Sequence, residues 1–260
     1  MSKKKVIVIG AGVSGLASAV RLLKEGFDVE LYEKNSTIGG RMGVVSGNGF
    51  SFDLGPTILM MPQIFKEVFT YCGRNPDDYI KMQRLDPIYK VYFEDGTTHE
   101  ASSELSSLVT TLESVGEEEA QGYLAYLSDV YKRYLVAKEF FIDRSFRSPL
   151  DFYNPKTLSA GLRLKTFDNA YDSVGKFVKN EKLRELLSFQ TLYIGISPFN
   201  GPSIYTIIPM IELVYGVWFL KGGMRSMALA MERLFLEMGG KLFLNAPVRK
   251  STSMGSWPEV

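Results

Sequence analysis

The chain has 260 residues, 45% of them hydrophobic, and its 30 basic and 29 acidic residues leave a net charge of +1. Such a length can bury a sizeable core in one large or two small domains, the composition excludes a disordered chain, and the near-zero charge gives no global attraction for nucleic acid. A single cysteine, Cys72, excludes an internal disulfide, a single histidine, His99, excludes a histidine-rich metal site, and the cysteine count fits a reducing cytoplasm.

The first predicted element is a strand over Val6 to Ile9, a short continuous apolar run of the kind found in a buried parallel strand. It ends in Gly10, Gly12 and Gly15, spaced GxGxxG. Gly10 suits a sharp turn, Gly12 a close approach of backbone N–H groups to a pyrophosphate, and Gly15 close packing of the following helix on the strand. An anion then lies on the helix N-terminus, so Gly10, Gly12, Val13, Ser14 and Gly15 are candidate binding residues. The helix carries Leu16, Ala19, Val20 and Leu23 at helical spacing and ends at Gly26. Lys3 to Lys5 before an apolar run imitate a signal peptide, but the glycine spacing explains the same residues better.

A second strand, Val29 to Tyr32, ends at Glu33, followed by Lys34. A carboxylate there can accept hydrogen bonds from both adenosine ribose hydroxyls and would repel a 2′-phosphate, which argues against an NADP site. A second glycine pair follows, Gly39 and Gly40, with Arg41 beside it; on its own that arginine reads as a surface ion pair. A longer cofactor than NAD needs this further close approach of backbone. With these residues the sequence resembles the FAD-binding motif of the amine oxidase and carotenoid desaturase superfamily, and the resemblance implies FAD, with Arg41 near its pyrophosphate.

Residues 49–57 alternate apolar and polar side chains and then turn, a strand delivering a Gly-Pro loop. By the same resemblance Gly55, Pro56 and Thr57 pass beside the isoalloxazine; by themselves they are only a turn. Pro62 opens a helix with Ile64, Phe65, Val68, Phe69 and Cys72 on its face, where Cys72 reads as a small core residue. Ile88 to Phe93 and Thr97 to Glu100 form a hairpin around Glu94-Asp95-Gly96, with His99 as a solvated hairpin histidine.

Glu117 to Glu119 start a long helix with Tyr123, Leu124, Leu127, Tyr131, Tyr134 and Phe141 at helical spacing. Residues 131–184 hold twelve basic against six acidic residues together with ten Phe or Tyr. That mixture suits anionic lipid headgroups or a nucleic-acid strand, and equally a solvated helical surface over an aromatic core; a flavin site disfavours nucleic acid. Residues 186–220 are the most apolar stretch, broken by Gly195, Pro198, Gly201, Pro202 and Pro209, and read as short helices around a packed core or a greasy tunnel. Glu212 within it reads as a helix-surface or ion-paired carboxylate rather than a catalytic acid. Ile204 to Leu220 contains Pro209, Glu212 and Gly216, so no membrane-spanning helix is expected.

Phe65 to Tyr71, Phe141 to Tyr153 and Phe189 to Glu212 resemble the dehydrosqualene (4,4′-diapophytoene) desaturases, bacterial relatives of the phytoene desaturases, and the likeness runs from about residue 5 to 250. It implies an α/β fold: a discontinuous FAD/NAD(P)-binding Rossmann-like domain of glutathione-reductase type at 1–60 and 220–250, with an inserted, mostly helical α+β substrate- and membrane-associating domain at 61–219. Gly222 and Gly223 correspond to the return into the flavin domain. They lead a helix whose Met224, Met227, Met231, Leu234 and Met238 stripe reads as core, followed by a strand at Lys241 to Leu244. Backbone at Val248 would read the adenine edge. The tail at 251–260 departs from the family pattern, which implies either an N-terminal fragment or a shifted reading frame, in both cases without the C-terminal flavin segment.

The function implied is FAD-dependent desaturation of a lipophilic acyclic C30 polyene, by a protein held peripherally on the inner face of the cell membrane. A C40 phytoene desaturase, a flavin amine oxidase and an inactive fragment are the alternatives. No catalytic residue is nominated.

Overall fold

The computed structural model describes residues 3–250 except 105, 106, 108, 109, 111–113, 115, 165 and 166. The tail at 251–260 therefore lies outside the described residues. The chain forms two compact units, one of residues 1–84 and 218–260 and the other of 85–217.

In the first unit β1 (Lys5–Ile9), β2 (Asp28–Tyr32) and β10 (Lys241–Phe243) make a parallel sheet in the order β1-β2-β10, with Ile9 opposite Tyr32 and Tyr32 opposite Phe243. Helix α1 (Val13–Lys24) crosses from β1 to β2, and Arg21 and Lys24 in its last turn complement its dipole. Helix α9 (Arg225–Glu237) buries the methionine stripe as expected: Met224, Met227, Met231 and Leu234 join Leu16, Ala19, Val20, Val29 and Leu31 in one core. One reading of β1 is corrected. Ile7 and Ile9 are each 57% exposed, so the strand is covered on one face only.

The remainder of this unit is a hairpin, β3 (Val44–Gly47) with β4 (Phe50–Asp53), and a small sheet in which β9 (Val217–Leu220) lies between β5 (Leu59–Met60) and β6 (Met82–Arg84). Residues 61–84 group with the first unit because Val68 and Phe69 of α2 (Pro62–Tyr71) enter its core and Met82 pairs with Leu220. The expected boundary at residue 61 thus falls at 84/85.

In the second unit β7 (Tyr89–Tyr92) and β8 (Thr98–Ala101) form the expected hairpin, its turn tied by the Thr97 N–H donating to Asp95 Oδ1 at 3.0 Å. Helix α3 (Glu117–Ala137) is the longest element, but its inner face differs from the sequence reading. Tyr126, Val130, Arg133 and Tyr134 are buried, whereas Leu124 and Tyr131 are 56% and 45% exposed. Burial of a cation is possible because Asp129, one turn earlier, pairs with Arg133 at 3.1 Å and the guanidinium donates to Ser203 O and Thr206 Oγ1 at 3.3 and 3.2 Å.

Short helices complete the unit: α4 (Pro149–Phe152), α5 (Pro155–Arg163), α6 (Ala170–Gly175), α7 (Glu181–Leu186) and α8 (Ile207–Tyr215), with 3₁₀ turns at Phe189–Ile194 and Ser203–Thr206. The Tyr126 hydroxyl lies within reach of the Leu187 and Thr206 carbonyls, at 3.3 and 3.2 Å, and so holds this irregular stretch to α3. Among the described residues no helix is long and apolar enough to cross a membrane.

Candidate functional site

The glycine loops of the first unit converge. Gly10 takes a left-handed conformation (φ 96°) directly after β1 and its N–H donates to Tyr32 O at 2.7 Å, which turns the chain into α1. A Cβ on Gly15 would collide with the Gly10 carbonyl oxygen, so only glycine allows this approach of helix and strand. Gly12 caps α1 with no side-chain hydrogen bond, and a Cβ placed on it would meet nothing within 4 Å. The N–H groups of Val13 and Ser14 belong to the first turn of α1, which has no intrahelical acceptor for them, as an anion cradle requires.

The second glycine pair lies on this loop. Gly39 bridges Gly12 and donates to Ala11 O at 2.8 Å. Gly43 O in turn accepts from Leu54 N at 2.9 Å, and a Cβ on Gly55 would strike the Arg41 carbonyl. The Arg41 side chain is exposed, as are Pro56 and Thr57. From the other end of the unit Gly222 and Gly223 turn into α9, where the Met224 N–H donates to Asp53 Oδ2 at 3.4 Å. Tertiary folding thus gathers Gly10 to Gly15, Gly39 to Arg41, Gly55 and Gly223 from four separate stretches of chain.

Glu33 stands at the tip of β2, 6% exposed. Its Oε2 accepts from Ala11 N at 2.8 Å, and its Oε1 from Asn35 N and Nδ2 at 2.9 and 2.8 Å. Burial opposes ionisation, but the hydrogen bonds from Asn35 and Ala11 outweigh it and hold the carboxyl below the usual range. The loop leading to Val248 runs alongside, Ala246 N donating to Glu33 O at 2.9 Å, while Val248 itself is 42% exposed and Lys34 is exposed. Neither Asn35 nor Asp53 was singled out from the sequence. Only the Asx-type position of Asn35, two residues after the acid, could have pointed to it.

The cradle is open where a pyrophosphate would sit and closed where the helix meets the strand, so the residues present fit a dinucleotide. Cys72, half-buried with Sγ 4.0 Å from Val20 O, has its thiol pushed up by burial and is a core residue rather than a nucleophile.

A second cluster lies in the other unit, and it corrects the reading of Glu212. That residue is 2% exposed on the inner face of α8, not on the helix surface, and it has no ion-pair partner among the described residues. Burial pushes its carboxyl up to about 7, against the Tyr193 and Gln190 side chains, which favour the ionised form. His99 is also less solvated than expected, half-buried with its ring edge-on to Phe93 at 5.7 Å. The basic aromatic stretch presents much of its apolar surface outward instead of enclosing it: Leu150, Tyr153, Leu162 and Phe167 are 76%, 69%, 67% and 87% exposed, among exposed Arg144, Arg147, Lys156 and Arg163.

A βαβ unit with a glycine cradle and an acid at the tip of its second strand defines an α/β dinucleotide-binding protein. Residues 13–252 match the family of flavin containing amine oxidoreductases, and the chain belongs to that family. It is 49% identical over 245 residues to the 4,4′-diapophytoene desaturase (4,4′-diaponeurosporene-forming) of Staphylococcus haemolyticus, a match covering 94% of this chain and 49% of that protein.

A solved structure of a Pyrococcus furiosus protein is similar with a TM-score of 0.58 at 17% identity, over 93% of this chain and 51% of that one. Putrescine oxidase bound to putrescine is similar with a TM-score of 0.53 at 16% identity, over 96% and 52%. These two likenesses show the fold. The chain spans about half the length of the relatives it matches.

Proposed function

We propose that the chain is part of an FAD-dependent desaturase that converts an acyclic C30 polyene of the 4,4′-diapophytoene type to a more conjugated product. The observation that carries this reading is the 49% identity to a 4,4′-diapophytoene desaturase, which extends over 94% of the chain and therefore through the whole of the unit at 85–217 as well as the glycine loops. The cradle of Gly10, Gly12, Val13, Ser14 and Gly15 would hold the pyrophosphate, with Arg41 beside it. Glu33 would take the ribose and backbone near Val248 the adenine. Gly39, Gly40, Gly55, Pro56, Thr57, Gly222 and Gly223 would border the remaining length of FAD, and Lys34 would lie at its ribose end.

FAD supplies the hydride acceptor for a C–H bond flanked by double bonds. What the protein's own residues supply is binding and orientation. The glycines bring backbone N–H groups to the anion, and Ala11 and Asn35 keep Glu33 ionised and fixed in place. Cells that make 4,4′-diapophytoene and express the whole protein of which this chain is part should accumulate a yellow conjugated polyene, and a Gly15→Val variant of it should leave them colourless. FAD-loaded protein that oxidises polyamines and yields no polyene product would overturn the desaturase reading in favour of amine oxidation, the reading that the family's description favours.

The exposed basic aromatic stretch at 142–167 supports a further part of the proposal, peripheral attachment to anionic lipid on the cytoplasmic face of the membrane, from which a lipophilic substrate is drawn. Phe146 and Phe152, 5.7 Å apart edge to face, and Tyr153 make the apolar body, and the arginines and lysines its charged rim.

A further inference from the structure

Behind the β7–β8 hairpin lies a cavity of about 60 Å³ whose mouth is open to solvent. Its walls are mostly apolar, built from Ile88, Leu183, Leu186, Leu187, Pro209 and Leu213. Tyr89, Gln190 and Glu212 meet in it, and His99, Glu100, Ser102 and Tyr123 also line it. Gln190 is 1% exposed, and its Nε2 donates to the Tyr89 hydroxyl at 2.9 Å and to Leu186 O at 3.1 Å, with Glu212 Oε2 at 3.3 Å. This arrangement spends the amide N–H groups and leaves Gln190 Oε1 without a partner among the described residues. Glu212 Oε1 is unpartnered as well, and both oxygens are buried.

Two buried polar oxygens without a hydrogen-bond partner in one largely apolar cavity are costly. The Tyr89 hydroxyl uses its oxygen to accept from Gln190 and keeps its own O–H to give. Burial and the neighbouring Glu212 hold that phenol protonated. The cavity therefore offers the Gln190 oxygen as an acceptor and the Tyr89 O–H as a donor beside a greasy wall, and Glu212 Oε1 next to them donates while the carboxyl is protonated and accepts once it ionises.

A hydroxyl group is the complement: it donates one hydrogen bond and accepts another. An ammonium has only donors to offer, so it leaves the Tyr89 O–H unanswered. We propose that Gln190, Glu212 and Tyr89 form a binding site for the hydroxyl end of a neutral apolar alcohol, whose carbon chain lies along Leu186, Leu187 and Leu213 toward the cavity mouth. This site does not depend on the desaturase reading, since it involves no flavin and no redox step.

Titration of the full chain with 1-hexanol, followed by the NMR methyl signals of Leu186, Leu187 and Leu213, tests it. The isomeric ether 1-methoxypentane, which accepts but cannot donate, and n-hexylammonium are the comparisons. The expected result is saturable 1-hexanol binding about fivefold or more tighter than that of the ether, the effect of one hydrogen bond to a buried acceptor. Glu212→Leu and Gln190→Leu should each reduce that preference while unfolding remains cooperative. Equal binding of alcohol and ether would reduce the site to an apolar cavity, tightest binding of n-hexylammonium would make it a cation site, and no saturable shift would mean that water alone fills it; each would overturn the proposal. Should the leucine variants fail to fold, the alcohol–ether comparison on the unaltered chain still decides.

Discussion

Glu212 shows how much a single residue's chemistry depends on its surroundings. Buried without a counter-charge, its carboxyl holds its proton to about pH 7, whereas its ordinary value is 4.5. The folded chain thus binds more protons than the unfolded chain between those values, so stability falls as pH rises through this window and levels off above about 7. The loss is on the order of 3 kcal/mol. Urea midpoints measured at pH 5 and pH 8 should show it, and Glu212→Gln, which cannot ionise, should lack it. Gly15 makes the opposite case, of a residue valued for what it lacks. Gly15→Ala drives a methyl into the Gly10 carbonyl and is expected to cost about 2 kcal/mol or more, read as a lowered Tm.

At the scale of elements, helix and strand positions follow from local pattern more closely than their orientations do. The helix α1 was legible from four apolar residues and Gly26, and the hairpin at 89–101 from its Glu-Asp-Gly turn. The buried face of α3 was not, because the apolar spacing through Leu124 and Tyr131 competes with one through Tyr126, Val130 and Arg133, and an arginine does not advertise burial.

Asp129 is what permits that burial. Asp129→Ala is therefore expected to destabilise the second unit by about 3–5 kcal/mol, and Arg133→Met, which removes the charge along with its need of a partner, by much less; chemical denaturation of both variants compares them. The region around α4 and α5 makes a different prediction. Anionic liposomes should pellet the chain in a salt-sensitive manner, and Lys156→Glu with Arg163→Glu should weaken binding about fivefold per charge, since each basic residue contributes about 1 kcal/mol near such a surface. Pelleting that ignores both salt and anionic lipid would remove the electrostatic part of the membrane proposal.

At the scale of the molecule, the first unit leaves apolar surface uncovered: Ile7, Ile9, Phe50, Phe52 and Leu54 are each at least 57% exposed. The chain is expected to bind ANS in its folded state, and Ile7→Thr with Ile9→Thr should reduce the fluorescence with little change in Tm, because those side chains bury little area.

The sequence by itself determined the α/β class, the dinucleotide cradle and its acid, since these are encoded in short-range spacing: three glycines in six residues, a helical period, a carboxylate one strand later. Tertiary structure alone decided that Gly55 rests on Arg41, that Asn35 and Ala11 hold Glu33, and that Glu212 lies buried beside Gln190 and Tyr89. Gln190 and Glu212 are 22 residues apart and Tyr89 is 101 from Gln190. An isolated Ile-Glu-Leu reads the same on a wet helix face as in a dry one; whether a carboxyl is solvated is set by what the rest of the chain places against it.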